Sequence, residues 1–198
     1  MTPKFVMLLC AMTLAAPVHG ATSDPAALQV QTLNTSLLQS MHAGAALPMS
    51  ERYRQLQPVI EKVFALPLVT RLSVGPDWAK LSPDQQQALI TAFTRYTIAN
   101  YAHNFRDFDG QKFAVDDNVL TRGQDKVVRS QIIPARDTPV SLQYRMHEVD
   151  GAWKVIDVDY NGVSELISRR TDWAVALASG GPAGLIAHLN KVSDDLMK

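Results

Sequence analysis

From residue 25 to 105 the apolar positions recur every three or four residues, and from 111 to 160 they recur every two. That change of period separates a helical part from a sheet part. Asp24-Pro25 sets a capping acid before a proline and predicts a helix over about 25–42, with Leu28, Leu33, Leu37 and Leu38 as its apolar residues. GAALP at 44–48 breaks it. Ser50 is positioned to cap a second helix reaching about Ser73, with Tyr53, Leu56, Ile60, Val63 and Phe64 on one side. Pro58 and Pro67 interrupt that pattern and predict a kink or a split, and Gly75-Pro76 predicts the end.

Ser82-Pro83-Asp84-Gln85 has the form of a capping box and opens a helix to about Phe105. At 100° per residue, Leu89, Ala92, Phe93, Tyr96 and Ala99 make one apolar stripe, and Ile90, Ile98, Tyr101 and Phe105 make a second. Thr91, Arg95 and Ala102 are left as a narrow outer face. A helix with two apolar stripes touches two things: the body of the fold, and either another helix layer or a ligand.

The period of two predicts strands at about 111–120, 124–133, 139–149 and 152–160. Arg122-Gly123 and Asp150-Gly151 mark tight turns, so the strands form a four-stranded antiparallel meander. After Gly162 the pattern is helical again over about 164–178, broken at Gly180-Gly181-Pro182, and resumed over 183–196. Helices gathered around one antiparallel sheet give an α+β class.

The first twenty residues do not fit this frame. MTPKFVMLLCAMTLAAPVHG has Lys4, an apolar run from Phe5 to Ala16, and small residues Val18 and Gly20 before Ala21. This is the plan of a cleavable secretory leader over 1–20, and it predicts export, with a periplasm as destination. Cleavage removes Cys10, the only cysteine, so the exported chain relies on its core rather than on disulfides. The remaining 21–198 is of the size of one domain. Loss of Lys4 leaves a formal charge of −1, with no basic surplus to attract nucleic acid.

Candidate chemistry is sparse. His42, His103, His147 and His188 do not fall at metal-ligand spacing, and no metal site is expected. There is no G-x-S-x-G, and Ser164 after a glycine reads as a helix cap. The strand GAWKVIDVDY carries two acids. Strict alternation puts Trp153, Val155, Asp157 and Asp159 on one face, and Lys154, Ile156, Val158 and Tyr160 on the other. Asp157 is either a base in an apolar pocket near Tyr144 or a structural partner for Arg145, Arg169 or Arg170. Val140, Leu142, Tyr144 and Met146 form an apolar face on the neighbouring strand, which fits a filled core as well as a lined cavity.

Two blocks of sequence resemble a known family. FALPLVTRLSVGPDWAKLSPDQQQALITAFTRYTIANYA at 64–102 looks like the signature region of the toluene-tolerance (MlaC-type) periplasmic lipid-transport proteins. Trp153, Lys154, Val155, Asp157, Val158, Gly162, Val163, Ser164, Arg170 and Trp173 match the family's second signature. TRL-VG at 70–75, AFTRYTIA at 92–99 and SELISRR at 164–170 are closest in wording to the hopanoid-biosynthesis-associated, HpnM-like branch. The family tends to have Tyr before the last Arg and Phe after it, where this chain has Arg169 and Trp173.

The resemblance spans about 25–195. It implies one lipid-binding domain over 21–198, with a curved, NTF2-like four-stranded sheet and helices enclosing an apolar cavity. It implies a soluble periplasmic carrier, without catalysis or cofactor, moving a phospholipid or a hopanoid between an inner-membrane ABC transporter and an outer-membrane lipoprotein complex. Phe64, Leu68, Phe93, Tyr96, Tyr101, Leu142, Tyr144, Val155 and Trp173 are the expected cavity residues. Asp157, Gly162 and Arg170 are the expected structural anchors, with Asp157 held by Arg170 or a backbone donor. A carrier is further expected to keep acids out of its cavity. The alternative, a small-pocket NTF2-like isomerase or hydratase, would use Asp157 as its base. A third possibility is an adaptor presenting an apolar groove to a partner protein.

Overall fold

Four helices precede the sheet and a fifth follows it: α1 (Pro25–His42), α2 (Met49–Val63), α3 (Leu66–Val74), α4 (Pro83–Asn104), then α5 (Glu165–Leu196) after the last strand. The strands are β1 (Lys112–Val115), β2 (Leu120–Arg122), β3 (Asp125–Ile133), β4 (Val140–Val149), β5 (Ala152–Tyr160) and β6 (Val163–Ser164). This computed structural model describes residues 24–198, so the expected leader over 1–20 lies outside the described residues. The expected α+β class and curved antiparallel sheet are what the chain adopts. No described helix is long and apolar enough to cross a membrane.

Local chemistry sets the helix starts. Asp24 Oδ1 accepts the N–H of Ala26 at 2.8 Å. Ser82 and Gln85 close the capping box reciprocally, at 3.3 and 2.9 Å. The expected second helix is two helices. Ser50 does not cap the first of them, α2, which begins at Met49 with Pro48 as its N-cap and no side-chain cap bond, and Pro58 lies inside α2 without ending it. The split falls instead at Phe64-Ala65, where the Ala65 N–H donates to the Val155 carbonyl at 3.0 Å and Phe64 bridges to Val155. Pro67 then sits in the first turn of α3, where a missing N–H costs nothing. The expected break at Gly180-Gly181-Pro182 divides α5 into two helical segments across a kink, with Gly181 non-helical at φ 61° and ψ −169°.

The sheet order is β1-β3-β4-β5-β6, and β2 also pairs with β3. The expected first strand is therefore interrupted. Its two ends, β1 and β2, both lie on β3, and Asp116 accepts the Asn118 N–H at 2.9 Å in the turn between them. Between β4 and β5 the register shifts. Arg145 faces Asp157, but Met146 faces Val155, which leaves Ile156 as an extra residue. This β-bulge reverses the alternation beyond it. Val155, Val158 and Tyr160 thereby share the inner side with Met146, Tyr144 and Leu142. Strict alternation had grouped Val155 with Asp157 and Asp159.

Helix α4 packs mainly against α2, α3 and α5, not against the sheet. The expected outer face is covered in part, with Thr91 left exposed. Ala102 is fully buried, and Arg95 pairs with Asp194 of α5 at 2.5 Å while donating to the Asn190 carbonyl. The core beneath contains Leu33, Leu37, Leu56, Ile60, Leu89, Ile98 and Met146. The charged side chain of Arg52 is buried with them. Arg52 donates to the carbonyls of Ser40 and Gly44 and to Ser40 Oγ, and so ties α2 to the end of α1. Burial lowers its pKa, a direction opposed by the nearby charge of Asp107.

Candidate functional site

A cavity of about 760 Å3 opens between α4 and the inner side of β3, β4 and β5. It exists because α4 is held by the other helices and stands off the sheet. On the helix side Phe93, Tyr96, Thr97, Asn100, Tyr101 and Asn104 line it. From Phe93 to Asn104 α4 runs roughly 16 Å at 1.5 Å per residue. Ile132, Leu142, Tyr144, Ile156 and Val158 form the sheet wall, and Leu66 and Val69 of α3 close one side. The volume falls within the range of small-molecule and cofactor sites.

Aromatic rings frame the chamber. Phe64 meets Tyr101 edge-on at 5.5 Å between centroids, and Tyr101 stacks on Phe105 at 5.6 Å. Burial raises the pKa of Tyr96, Tyr101 and Tyr144, so all three phenols keep their protons at neutral pH. All three line the chamber beside the polar Thr97, Asn100 and Asn104.

Polar groups collect at two places. Asn104, Asp107 and Gln111 lie at the far end of α4, and Asp157, Glu165 and Arg169 lie where α5 begins. Asp157 is engaged in structure. Its Oδ2 accepts from Ser164 Oγ at 2.6 Å and its Oδ1 accepts from the Leu166 N–H at 2.9 Å. Ser164 is the helix cap, accepting the Ile167 N–H at 3.1 Å. Arg169 lies 4.8 Å above the Phe93 ring, with Glu165 at 3.9 Å. Burial lowers the Arg169 pKa, opposed by the charges of Glu165 and Asp157.

The expected cavity residues divide. Phe64, Phe93, Tyr96, Tyr101, Leu142 and Tyr144 line the chamber. Leu68, Val155 and Trp173 do not. Leu68 is turned about 100° away from the α3 face that carries Val69. Val155 is fully buried, with its carbonyl spent on Ala65. Trp173 packs edge-on behind Phe93, at 5.3 Å between centroids.

The anchors divide too. Gly162 has φ 88° and with Asn161 (φ 49°) makes the two-residue turn between β5 and β6. Asp157 has its backbone donor, but it makes no ion pair with Arg170. The Arg170 guanidinium lies against Gly75, and a Cβ added there would come within 3.0 Å of Nε. The expectation of a cavity free of acids is also corrected, since Asp107, Asp157 and Glu165 all border it.

Arg169, Val158 and Ile156 were not among the expected wall residues. Arg169 was visible as a departure from the family pattern. The two strand residues were hidden by the bulge. Among the described residues no cluster of His, Cys, Asp and Glu could hold a metal ion. His147 Nδ1 instead lies 2.7 Å from Asp125, and His103 Nδ1 lies 3.2 Å from the Leu196 carbonyl.

A largely apolar chamber between a helix layer and a curved sheet, with polar and charged groups at its two ends, gives this α+β domain space for a ligand. The chain belongs to the MlaC protein family, which matches residues 31–191. Its fold is similar to that of a phospholipid-binding protein from Ralstonia solanacearum, solved in complex with a phospholipid. The TM-score is 0.76 at 23% identity, over 87% of this chain and 99% of that one.

Proposed function

We propose that this protein is a periplasmic lipid carrier that holds the tails of a phospholipid between α4 and the sheet. The observation that carries the reading is the apolar chamber, which lies in a chain of the MlaC family. The physical need is plain. Each methylene costs roughly 0.8 kcal/mol to expose, so two tails of about fifteen carbons cost on the order of 20 kcal/mol in water. A chamber that replaces the bilayer contacts removes most of that cost and requires no catalytic group.

The phospholipid bound by the Ralstonia solanacearum protein supports this cargo. The HpnM-like wording of the sequence makes a hopanoid the competing cargo. In this reading the carrier passes its lipid between an inner-membrane ABC transporter and an outer-membrane complex. Asp157 borders the chamber, but Ser164 and the Leu166 N–H occupy its two oxygens, which argues against its use as a general base.

Native mass spectrometry of protein purified from a periplasm without detergent tests the proposal. A mass increment that extracts as phospholipid is expected. An increment that extracts as hopanoid would change the cargo. A bare chain that stays bare after incubation with lipid vesicles would sink the carrier reading.

A further inference from the structure

If the chamber carries a lipid, as proposed above, the lipid's head group meets the charged groups at the chamber edge. Arg169 is the only lysine, arginine or histidine on the chamber wall among the described residues. Its side chain is 19% exposed, and its flat guanidinium is seated over Phe93. The nearest carboxylate oxygen, of Glu165, is 3.9 Å away, beyond hydrogen-bond reach. Asp157 is already committed to Ser164 and Leu166. The N–H fork of Arg169 is therefore left for an occupant of the chamber.

Glu165 lies one helical turn nearer the start of α5 and is 56% exposed. From the chamber outward, the charges thus run positive then negative. A zwitterionic, amine-headed glycerophospholipid carries the complementary order: tails, then phosphate, then ammonium. The other polar end offers Asp107 and, among the described lining residues, no cation to offset its repulsion of a phosphate.

We propose that the chamber selects amine-headed phospholipids, with the phosphate on Arg169 and the ammonium on Glu165. Guanidinium and phosphate match as a two-pronged hydrogen-bonded pair. A glycerol-headed phospholipid satisfies Arg169 but leaves Glu165 facing an anion. An uncharged polycyclic lipid offers the N–H fork of Arg169 no anionic acceptor, which is unfavourable.

The test uses the full chain purified from a periplasm, stripped of lipid and incubated with vesicles of equimolar phosphatidylethanolamine and phosphatidylglycerol. Bound lipids are counted by native mass spectrometry. We expect roughly a fivefold excess of the ethanolamine lipid, the scale of a partly exposed ion pair. Glu165→Gln should bring the ratio toward that of the vesicles. Arg169→Gln should lower the loading of both lipids, and Arg169→Lys should restore part of it. Equal loading by the unaltered protein, or a ratio that Glu165→Gln leaves unchanged, would overturn the head-group assignment while the carrier reading stands. Failure to load any lipid would overturn both. Thermal stabilisation by inorganic phosphate that depends on Arg169, with no lipid preference, would assign the arginine to the free anion and overturn the proposal. Circular dichroism checks folding, and if Arg169→Gln does not fold, the ratio in Glu165→Gln decides.

Discussion

Asp157 Oδ1 accepts the backbone N–H of Leu166 at 2.9 Å, so a strand residue holds the first turn of the helix that follows it. Ser164 joins the pair by donating to Asp157 Oδ2 and accepting from Ile167. The start of α5 would otherwise carry orphan N–H groups beside an apolar chamber.

Removing this anchor should weaken the attachment of α5. Asp157→Ala is expected to cost about 1–2 kcal/mol of unfolding free energy, the range of a lost helix cap. A double-mutant cycle with Ser164→Ala should show coupling above roughly 0.5 kcal/mol, and one with Arg170→Ala should not. Urea denaturation of the three single and two double variants checks both statements.

Filling the chamber should remove its capacity. Val158 is half-buried on the sheet wall. Val158→Trp is expected to reduce lipid loading about tenfold, because crowding an occupied site costs about 1–3 kcal/mol. Val175 is 68% exposed and outside the chamber, so Val175→Trp should load as the unaltered protein does. Mass spectrometry after vesicle incubation separates the two.

Arg52 is 1% exposed, and backbone carbonyls receive its guanidinium. Arg52→Ala leaves those carbonyls buried and unpaired, and should cost about 3 kcal/mol or more. The lipid preference of the protein that remains folded should not change. Thermal and urea unfolding read the loss.

Stability should fall in acid through a specific cluster. Burial raises the pKa of Asp125, but hydrogen bonds from His147 and Arg145 outweigh it and hold the carboxyl below its ordinary value of 3.8. The contribution is therefore present above the unfolded value and lost as pH falls through the lower folded value. Asp125→Asn should be less stable than the unaltered protein at neutral pH, and the gap should shrink as pH falls below about 4. Asp24, held by Lys126 at 2.7 Å against its own burial, shifts in the same direction and adds to the acid loss.

Most helices and turns were legible because their causes are local, whereas the split between α2 and α3 depends on the Ala65 N–H reaching the distant Val155 carbonyl. Asp24, Ser82 with Gln85, and Ser164 act within a few residues of the helices they cap. The second apolar stripe of α4 was legible as well, and Tyr101 on that stripe and Phe93 and Tyr96 on the first all reach the chamber. What periodicity left open was whether those stripes enclosed space or were filled by core.

That question belongs to the tertiary structure. The stand-off of α4 depends on how α2, α3 and α5 grip it, and Arg95 meets Asp194 across almost a hundred residues of chain. The bulge at Ile156 depends on which residue of β4 it faces, and it decided which strand residues look inward. Local periodicity carries no record of a register shift, because the extra residue costs nothing until a partner strand is present. The sequence by itself determined most of the elements, their order and the caps at Asp24, Ser82 and Ser164, through contacts a few bonds away. Pairing and packing over long separations decided the chamber, its inner face and the isolation of Arg169, since space is defined only when distant elements meet.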